Sequence, residues 1–267
     1  LQPVRPVRPP ELITEGFNIP DIKVEMPELF IPNRKPVGAV EIDWSNPLAK
    51  GLSRYYHPET LHCLVTDREI SFINGGTGVW STGVDSGRKA ALIESPLTTD
   101  TPGLEMVEYW TPDYLGFTVF FSLRHEDSGT NYLNILPHYY LESGIVCRLE
   151  NASGFYRILW EHYQDAANQL FTRTSTIPVN TVLTFAVSVT VDGVVTIAAN
   201  GKQLGTESTG AIAPVTATRL PTQVLGNVWG TGLNGAIYAF GKYGDRALGA
   251  RELELLTANP YQFLIPE

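Results

Sequence analysis

The sequence predicts an all-β sandwich with one short C-terminal helix, preceded by an extended N-terminal arm. Three observations carry that expectation. From Gly38 onward the chain reads as short β-type runs broken by Asn-Gly, Asp-Gly and other glycine-bearing turns, the texture of a sandwich or barrel. A single segment, close to the C-terminus, has helical patterning. Eight of the 19 prolines fall in residues 1–37, so the composition describes two objects, an arm at 1–37 and a body at 38–267.

The arm opens Pro3-Val4-Arg5-Pro6-Val7-Arg8-Pro9-Pro10. Proline fixes φ and pushes its predecessor toward extended backbone, which suits polyproline and excludes helix or central strand. Further on, Ile22, Val24 and Met26 alternate with Lys23 and Glu25 in a strand-like pattern, and Leu29, Phe30 and Ile31 form a small apolar cluster. A solvated linker would be Gly/Ser-rich or charged. This arm carries apolar anchors instead. Pro3, Pro6, Pro9, Pro10, Phe17, Ile22, Val24, Met26, Leu29 and Phe30 are therefore the expected partner-binding residues. At about 3.1 Å per residue the arm spans on the order of 110 Å, enough to cross a neighbouring subunit.

In the body, strands are expected at Ser71–Ile73, Phe117–Leu123, Gly144–Leu149, Phe155–Trp160, Val182–Val191, Val194–Ala199 and Ala236–Lys242. Asp192-Gly193 and Asn200-Gly201 between such runs predict type I′ hairpins, which need positive φ at two successive residues. Ala247–Thr257 predicts the helix. It has apolar Leu248, Leu253, Leu255 and Leu256, a charged face, Gly249 as cap and Asn259-Pro260 as stop.

Composition closes off several functions. The chain has 267 residues and a net charge of −9. The arm has five basic and five acidic residues, so the body carries the whole imbalance. No basic cluster marks a nucleic-acid surface. No apolar run reaches the ~18–20 residues of a membrane span, and residues 1–20 show no apolar stretch of a secretion signal. Two cysteines, Cys63 and Cys147, exclude a disulfide scaffold and are expected as reduced, buried thiols.

Residues 182–204, a strand, an Asp-Gly turn, a second strand and Asn200-Gly201-Lys202, resemble the successive hairpins of the laminin-G/concanavalin-A-like family. Residues 233–256 resemble that family's final strand, its "R-A-L-S-x-x-E" turn and its closing helix, with Gly249 standing where serine is usual. Asn46-Pro47-Leu48-Ala49-Lys50-Gly51-Leu52 and Asn259-Pro260-Tyr261-Gln262-Phe263 resemble the ends of a phage-borne branch. The resemblance covers roughly residues 38–263 and implies a jelly-roll sandwich in a bacteriophage structural protein.

The same fold family includes glycanases, which set carboxylates at i and i+2 along one strand. Glu41-Ile42-Asp43 imitates this, but Ser45 stands at i+4 and the run lies in the first strand. The expectation is an edge strand with a solvated carboxylate and Trp44 in the core. Glu161-His162-Tyr163-Gln164-Asp165 reads as a hairpin tip. His57 and His62 lack metal-ligand spacing, and Gly75-Gly76-Thr77-Gly78 lacks the lysine and helix of a phosphate loop. No G-x-S-x-G occurs. The adjacent pairs Tyr55-Tyr56, Tyr109-Trp110 and Tyr139-Tyr140 would send one ring to each face of a strand.

No catalytic residue, cofactor or metal is expected. The first functional reading is a non-enzymatic virion protein that decorates or cements a capsid. Its arm would lace it to the major capsid protein or other virion subunits, by adding residues 21–26 to a neighbour's sheet edge. The body is then expected as a homo-oligomer, a trimer in preference, located in the virion and assembled in the bacterial cytoplasm. The alternative is a tail-fibre or baseplate module whose exposed aromatics bind host-surface glycans. A glycanase ranks third.

Overall fold

The structure is a computed structural model. It describes residues 39–57, 62–66, 70–73, 79–86, 88–94, 103–106, 116–126, 133–140, 143–164, 167–208, 222–224 and 234–266. The arm residues Pro3, Pro6, Pro9, Pro10, Phe17, Ile22, Val24, Met26, Leu29 and Phe30 lie outside the described residues, as do Tyr109, Trp110 and the glycine run at 75–78.

The strands are β1 (Val40–Ile42), β2 (Leu52–His57), β3 (His62–Cys63), β4 (Ile70–Ile73), β5 (Val79–Asp85), β6 (Arg88–Glu94), β7 (Gly103–Met106), β8 (Phe117–His125) and β9 (Leu133–Tyr140). They continue as β10 (Ser143–Ala152), β11 (Phe155–Gln164), β12 (Ala167–Pro178), β13 (Leu183–Val189), β14 (Val194–Ala199), β15 (Lys202–Ser208), β16 (Thr222–Val224), β17 (Gly235–Tyr243) and β18 (Leu264–Pro266). A 3₁₀ turn (Pro47–Ala49) and helix α1 (Ala250–Ala258) complete the order.

A large sheet runs β15-β14-β13-β8-β17-β2-β3. One edge of β17 pairs with β8, while its other edge takes β6 at Gly235–Ile237 and β2 at Phe240–Tyr243. A four-stranded sheet runs β12-β11-β10-β9. Alternation sorts the residues of these sheets into two cores. Phe117, Val119, Phe121, Leu123, Phe185, Val187 and Ile237 meet Cys147, Leu149, Tyr156, Ile158, Trp160 and Phe171 between the sheets. On the other face of the large sheet, Tyr55, Phe120, Ala186, Ala198, Ala236, Ala239 and Tyr243 meet Leu248, Leu253 and Leu256 of the helical segment and Val40, Ile42 and Leu264 of the β1–β18 ribbon. The alanines keep that face shallow enough for a helix to lie on it. The expected jelly-roll sandwich is therefore present, with the large sheet covered on both faces. That fits the burial of every residue of β13, Thr184 and Ser188 included.

Polar groups under the helix are paired. Leu248 N–H donates to Thr118 Oγ1 at 2.9 Å, and Ser188 Oγ donates to the Leu248 carbonyl at 2.9 Å. Gly249 is the N-cap. With no side chain of its own, it is served by Glu252, whose Oε2 accepts from the Gly249 N–H at 3.0 Å.

Two expectations need correction. Trp44 is 54% exposed, because the chain turns there: Asp43 Oδ1 accepts from the Ser45 N–H and hydroxyl at 2.9 and 2.6 Å, an Asx turn that lifts the indole off the ribbon. At Asp192-Gly193 only Gly193 has positive φ, +79°. Gly193 N–H donates to the Thr190 carbonyl and Thr190 N–H to the Val194 carbonyl, both at 3.0 Å, so this is a three-residue loop with glycine in the left-handed position rather than a type I′ turn. Asn200-Gly201 does have both values positive, +44° and +82°.

Candidate functional site

The four-stranded sheet offers its outer face. Ser153 and Gly154, with φ of +56° and +89°, form a two-residue turn that sets Ala152 opposite Phe155. That register places Glu150 opposite Arg157 and Arg148 opposite Leu159, and on the far side Arg157 faces Thr174 and Leu159 faces Thr172. Since Leu149, Tyr156, Ile158, Trp160 and Phe171 fill the core, Arg148, Glu150, Arg157, Leu159 and Glu161 occupy the opposite face.

Two ion pairs grip this face. Arg157 Nε donates to Glu150 Oε2 at 2.8 Å, and its Nη2 donates to the same oxygen. Arg148 Nη1 donates to Glu161 Oε1 at 2.9 Å, diagonally across the two strands. Between the pairs lies Leu159, only 5% exposed, and Glu161 is buried too. Arg157 and Phe155 are the open groups, with 42% of the Arg157 side chain and 42% of Phe155 accessible. The result is a face on which the two open groups, Arg157 and Phe155, adjoin fixed donors and acceptors.

Glu161 was expected at a hairpin tip. The pairing instead carries β11 through to Gln164 opposite Ala167, so Glu161 stands within the strand. Backbone register also aligns Tyr139, Gly144, Tyr163 and Asn168 in one cross-strand row.

A second polar cluster sits on the large sheet. Arg124 Nε and Nη2 donate to Asp85 Oδ2 and Oδ1 at 2.9 and 2.7 Å, Tyr238 Oη donates to Oδ2, and Ser86 Oγ donates at 3.0 Å. Burial works to raise the Asp85 carboxyl, but the hydrogen bonds from Arg124, Tyr238 and Ser86 outweigh it and hold the group below its ordinary value. Burial, then the bond to Asp85, pushes the Tyr238 phenol up to about 12. Asp85 has its acceptor sites filled by its own neighbours, so this cluster clips the β5–β6 hairpin to the sheet.

The remaining sequence candidates divide as follows. The Asp43 carboxyl is held low by the Ser45 hydroxyl first and its N–H second, and Glu41 is exposed on β1, so the two carboxylates form a turn and a solvated edge. His57 and His62 are cross-strand partners, and among the described residues no group of three or more His, Cys, Asp or Glu is placed to hold a metal. Cys63 and Cys147 are free and buried, as expected, and burial pushes the Cys147 thiol up. Tyr55 and Tyr56 do point to opposite faces, one into each core. Arg148, Glu150, Arg157 and Leu159 were not singled out from sequence. The signal was there in the Ser153-Gly154 turn, which fixes every pairing on this hairpin.

No protein-family model matches this sequence, and no curated protein matches it. Solved structures do match in fold. Domain 4 of an extracellular GH43 arabinanase from Geobacillus stearothermophilus, in complex with arabinotriose, is similar over 77% of this chain and 98% of that one, with 15% identity and a TM-score of 0.52. The binding domain of botulinum neurotoxin DC, in complex with rat synaptotagmin II, is similar over 79% of this chain and 52% of that one, with 12% identity and a TM-score of 0.57. A structure of botulinum neurotoxin type C, whose cell entry is described as dependent on two ganglioside molecules, is similar over 79% and 51%, with 13% identity and a TM-score of 0.54. The chain thus spans about half the length of the neurotoxin chains it matches. At these identities the likeness establishes the β-sandwich jelly roll.

Proposed function

We propose that this chain is a non-enzymatic jelly-roll recognition module that binds a host-surface glycan on the outer face of the β9–β12 sheet, as part of a bacteriophage tail fibre or baseplate. The observation that carries the reading is the pair of Arg–Glu bridges flanking Leu159. Sugar hydroxyls need donors and acceptors side by side. A guanidinium has five N–H donors and a carboxylate about four acceptor sites, so the Arg157–Glu150 bridge, in which both hydrogen bonds go to one carboxylate oxygen, keeps capacity of both kinds in a fixed place. Phe155, 42% exposed, supplies an aromatic surface for the C–H face of a ring. The arabinotriose complex of one matched fold supports the same reading. A glycan array probed with the full chain tests it. Specific binding is expected, and Arg157→Ala is expected to weaken it by about tenfold or more, equivalent to roughly 1.4 kcal/mol, measured on protein whose folding is checked by circular dichroism because the substitution leaves Glu150, 17% exposed, without its cation. No specific binding, or binding indifferent to both Arg157→Ala and Phe155→Ala, would overturn it.

A second reading concerns the arm. The alternating Ile22, Val24 and Met26 and the eight prolines of residues 1–37 favour a capsid-decoration protein laced to the major capsid protein or other virion subunits, in a homo-oligomer such as a trimer. The segment leads into β1, which pairs only with β18 among the described strands. Deleting residues 1–36 is expected to leave a soluble, folded body that no longer enters particles. Normal occupancy of the truncated body in particles would remove the anchoring role.

A further inference from the structure

We infer that the glycan taken by the β9–β12 face is neutral, a saccharide without carboxylate, sulfate or phosphate. This rests on the reading of that face as a glycan site and specifies its substrate class. Binding an anionic sugar calls for a cation with an uncommitted hydrogen-bonding edge. Among the described residues of this face the cations are Arg148 and Arg157, and each is already matched. Arg157 turns its Nε and Nη2 edge, one of the two edges by which a guanidinium forks onto a carboxylate, to Glu150, whose charge offsets its own. Arg148 is held by Glu161, which is itself buried.

Neither carboxylate is free to swing away. The Glu150 and Glu161 side chains are 17% and 9% exposed, and moving them off their arginines would strand a charge with little water around it. Among the described residues of the face two positive groups balance two negative ones, in a chain of net charge −9. An incoming anion would meet the two carboxylates with no spare cation to offset them. Hydroxyl groups meet no such penalty. They donate to the second lone pairs of Glu150 and accept from the remaining N–H groups of Arg157.

The test compares matched oligosaccharides with and without a terminal sialic acid or sulfate, using the full chain. Neutral forms are expected to bind, their anionic counterparts to bind at least about tenfold more weakly, and the affinity for neutral forms to change little between low and high sodium chloride, since no exposed ion pair forms. Glu150→Gln releases the Arg157 fork. It is expected to narrow or reverse the preference and to make the gained anionic binding salt-sensitive. A wild-type chain that prefers sialylated or sulfated glycans, with binding that falls as salt rises, overturns the neutral class and leaves glycan recognition standing. A wild-type chain that binds no glycan overturns both. If Glu150→Gln fails to fold, the wild-type comparison still decides.

Discussion

Asp85 shows what a well-served carboxylate does for this fold. Three neighbouring side chains donate to it, Arg124 twice, and both members of the Arg124–Asp85 pair are about five-sixths buried, at 16% and 15% side-chain exposure. Asp85→Asn keeps the shape but removes the charge that Arg124 is built around. A loss of about 2 kcal/mol in unfolding free energy is expected, the scale of hydrogen bonds to charged groups. The sign of the pH dependence follows from the lowered carboxyl. Its contribution is fully present above the ordinary value of 3.8 and is lost as pH falls through the lower folded value. The gap between wild type and Asp85→Asn in urea titrations is therefore expected to be wide at neutral pH and to shrink as the pH is taken progressively below 3.8. An equal gap throughout would mean that the charge is not its source. Residues of this kind are hard to read in advance. Asp85, Arg124 and Tyr238 lie far apart in sequence and only the sheet order joins them. Trp44 failed for the opposite reason: it looks like a core residue by type, and a turn two hydrogen bonds strong decides otherwise.

The elements were more legible than the residues, and the reason is local. Strands β8, β13, β14 and β17 are rich in β-branched and aromatic residues, and Gly193, Gly201 and Gly244 follow the last three, so their existence needs little tertiary knowledge. The helix is bounded by Gly249 and Asn259-Pro260, although it begins at Ala250 rather than Ala247 because Leu248 is held by hydrogen bonds to Thr118 and Ser188 instead of by a helical turn. Turn type was legible at Asn200-Gly201, where Asn tolerates positive φ and its side chain accepts from the Thr184 N–H at 2.6 Å. It was not legible at Asp192-Gly193, where the Thr190 hydroxyl accepts from the Val194 N–H at 3.0 Å and favours the longer loop. The Asn200-Gly201 turn also has a tertiary task. Gly201 N–H donates to Thr257 Oγ1 at 3.0 Å, and a Cβ at Gly201 would sit 3.1 Å from Ala258 Cβ. The hairpin tip and the end of the helix are therefore fitted to each other, which the family-like spacing of residues 182–204 and 233–256 hinted at but could not place. The binding face lay between these levels: β10 and β11 and their turn were readable, whereas the burial of Leu159 and Glu161 on an outer face was not.

At the scale of the whole molecule the large sheet joins two cores. Alternate residues of β2, β8, β13, β14 and β17 belong to one or the other: Tyr56 and Tyr55, Phe121 and Phe120, Phe185 and Ala186, Ile197 and Ala198, Ile237 and Tyr238. Releasing the helix and the β1–β18 ribbon would expose one face of the very strands whose other face holds the sandwich together. The two layers should then unfold as one unit, the behaviour of a cooperative domain. Two substitutions on opposite layers test this. Thr118→Val removes the acceptor of the Leu248 N–H beneath the helix and is expected to destabilise by about 1–3 kcal/mol. Ile158→Ala opens a cavity on the sandwich side and is expected to destabilise by about 2–5 kcal/mol. Each is expected to shift a single transition, with circular dichroism and tryptophan fluorescence tracing the same midpoint and the calorimetric enthalpy equal to the van't Hoff value. The two effects should add, since the sites share no hydrogen-bond partner. A Thr118→Val protein that splits into two transitions, with the helix layer melting first, would show instead that the sandwich stands alone. In that case the helix and the ribbon would act as a detachable cover, and the large sheet would have an outer face of its own to offer a partner.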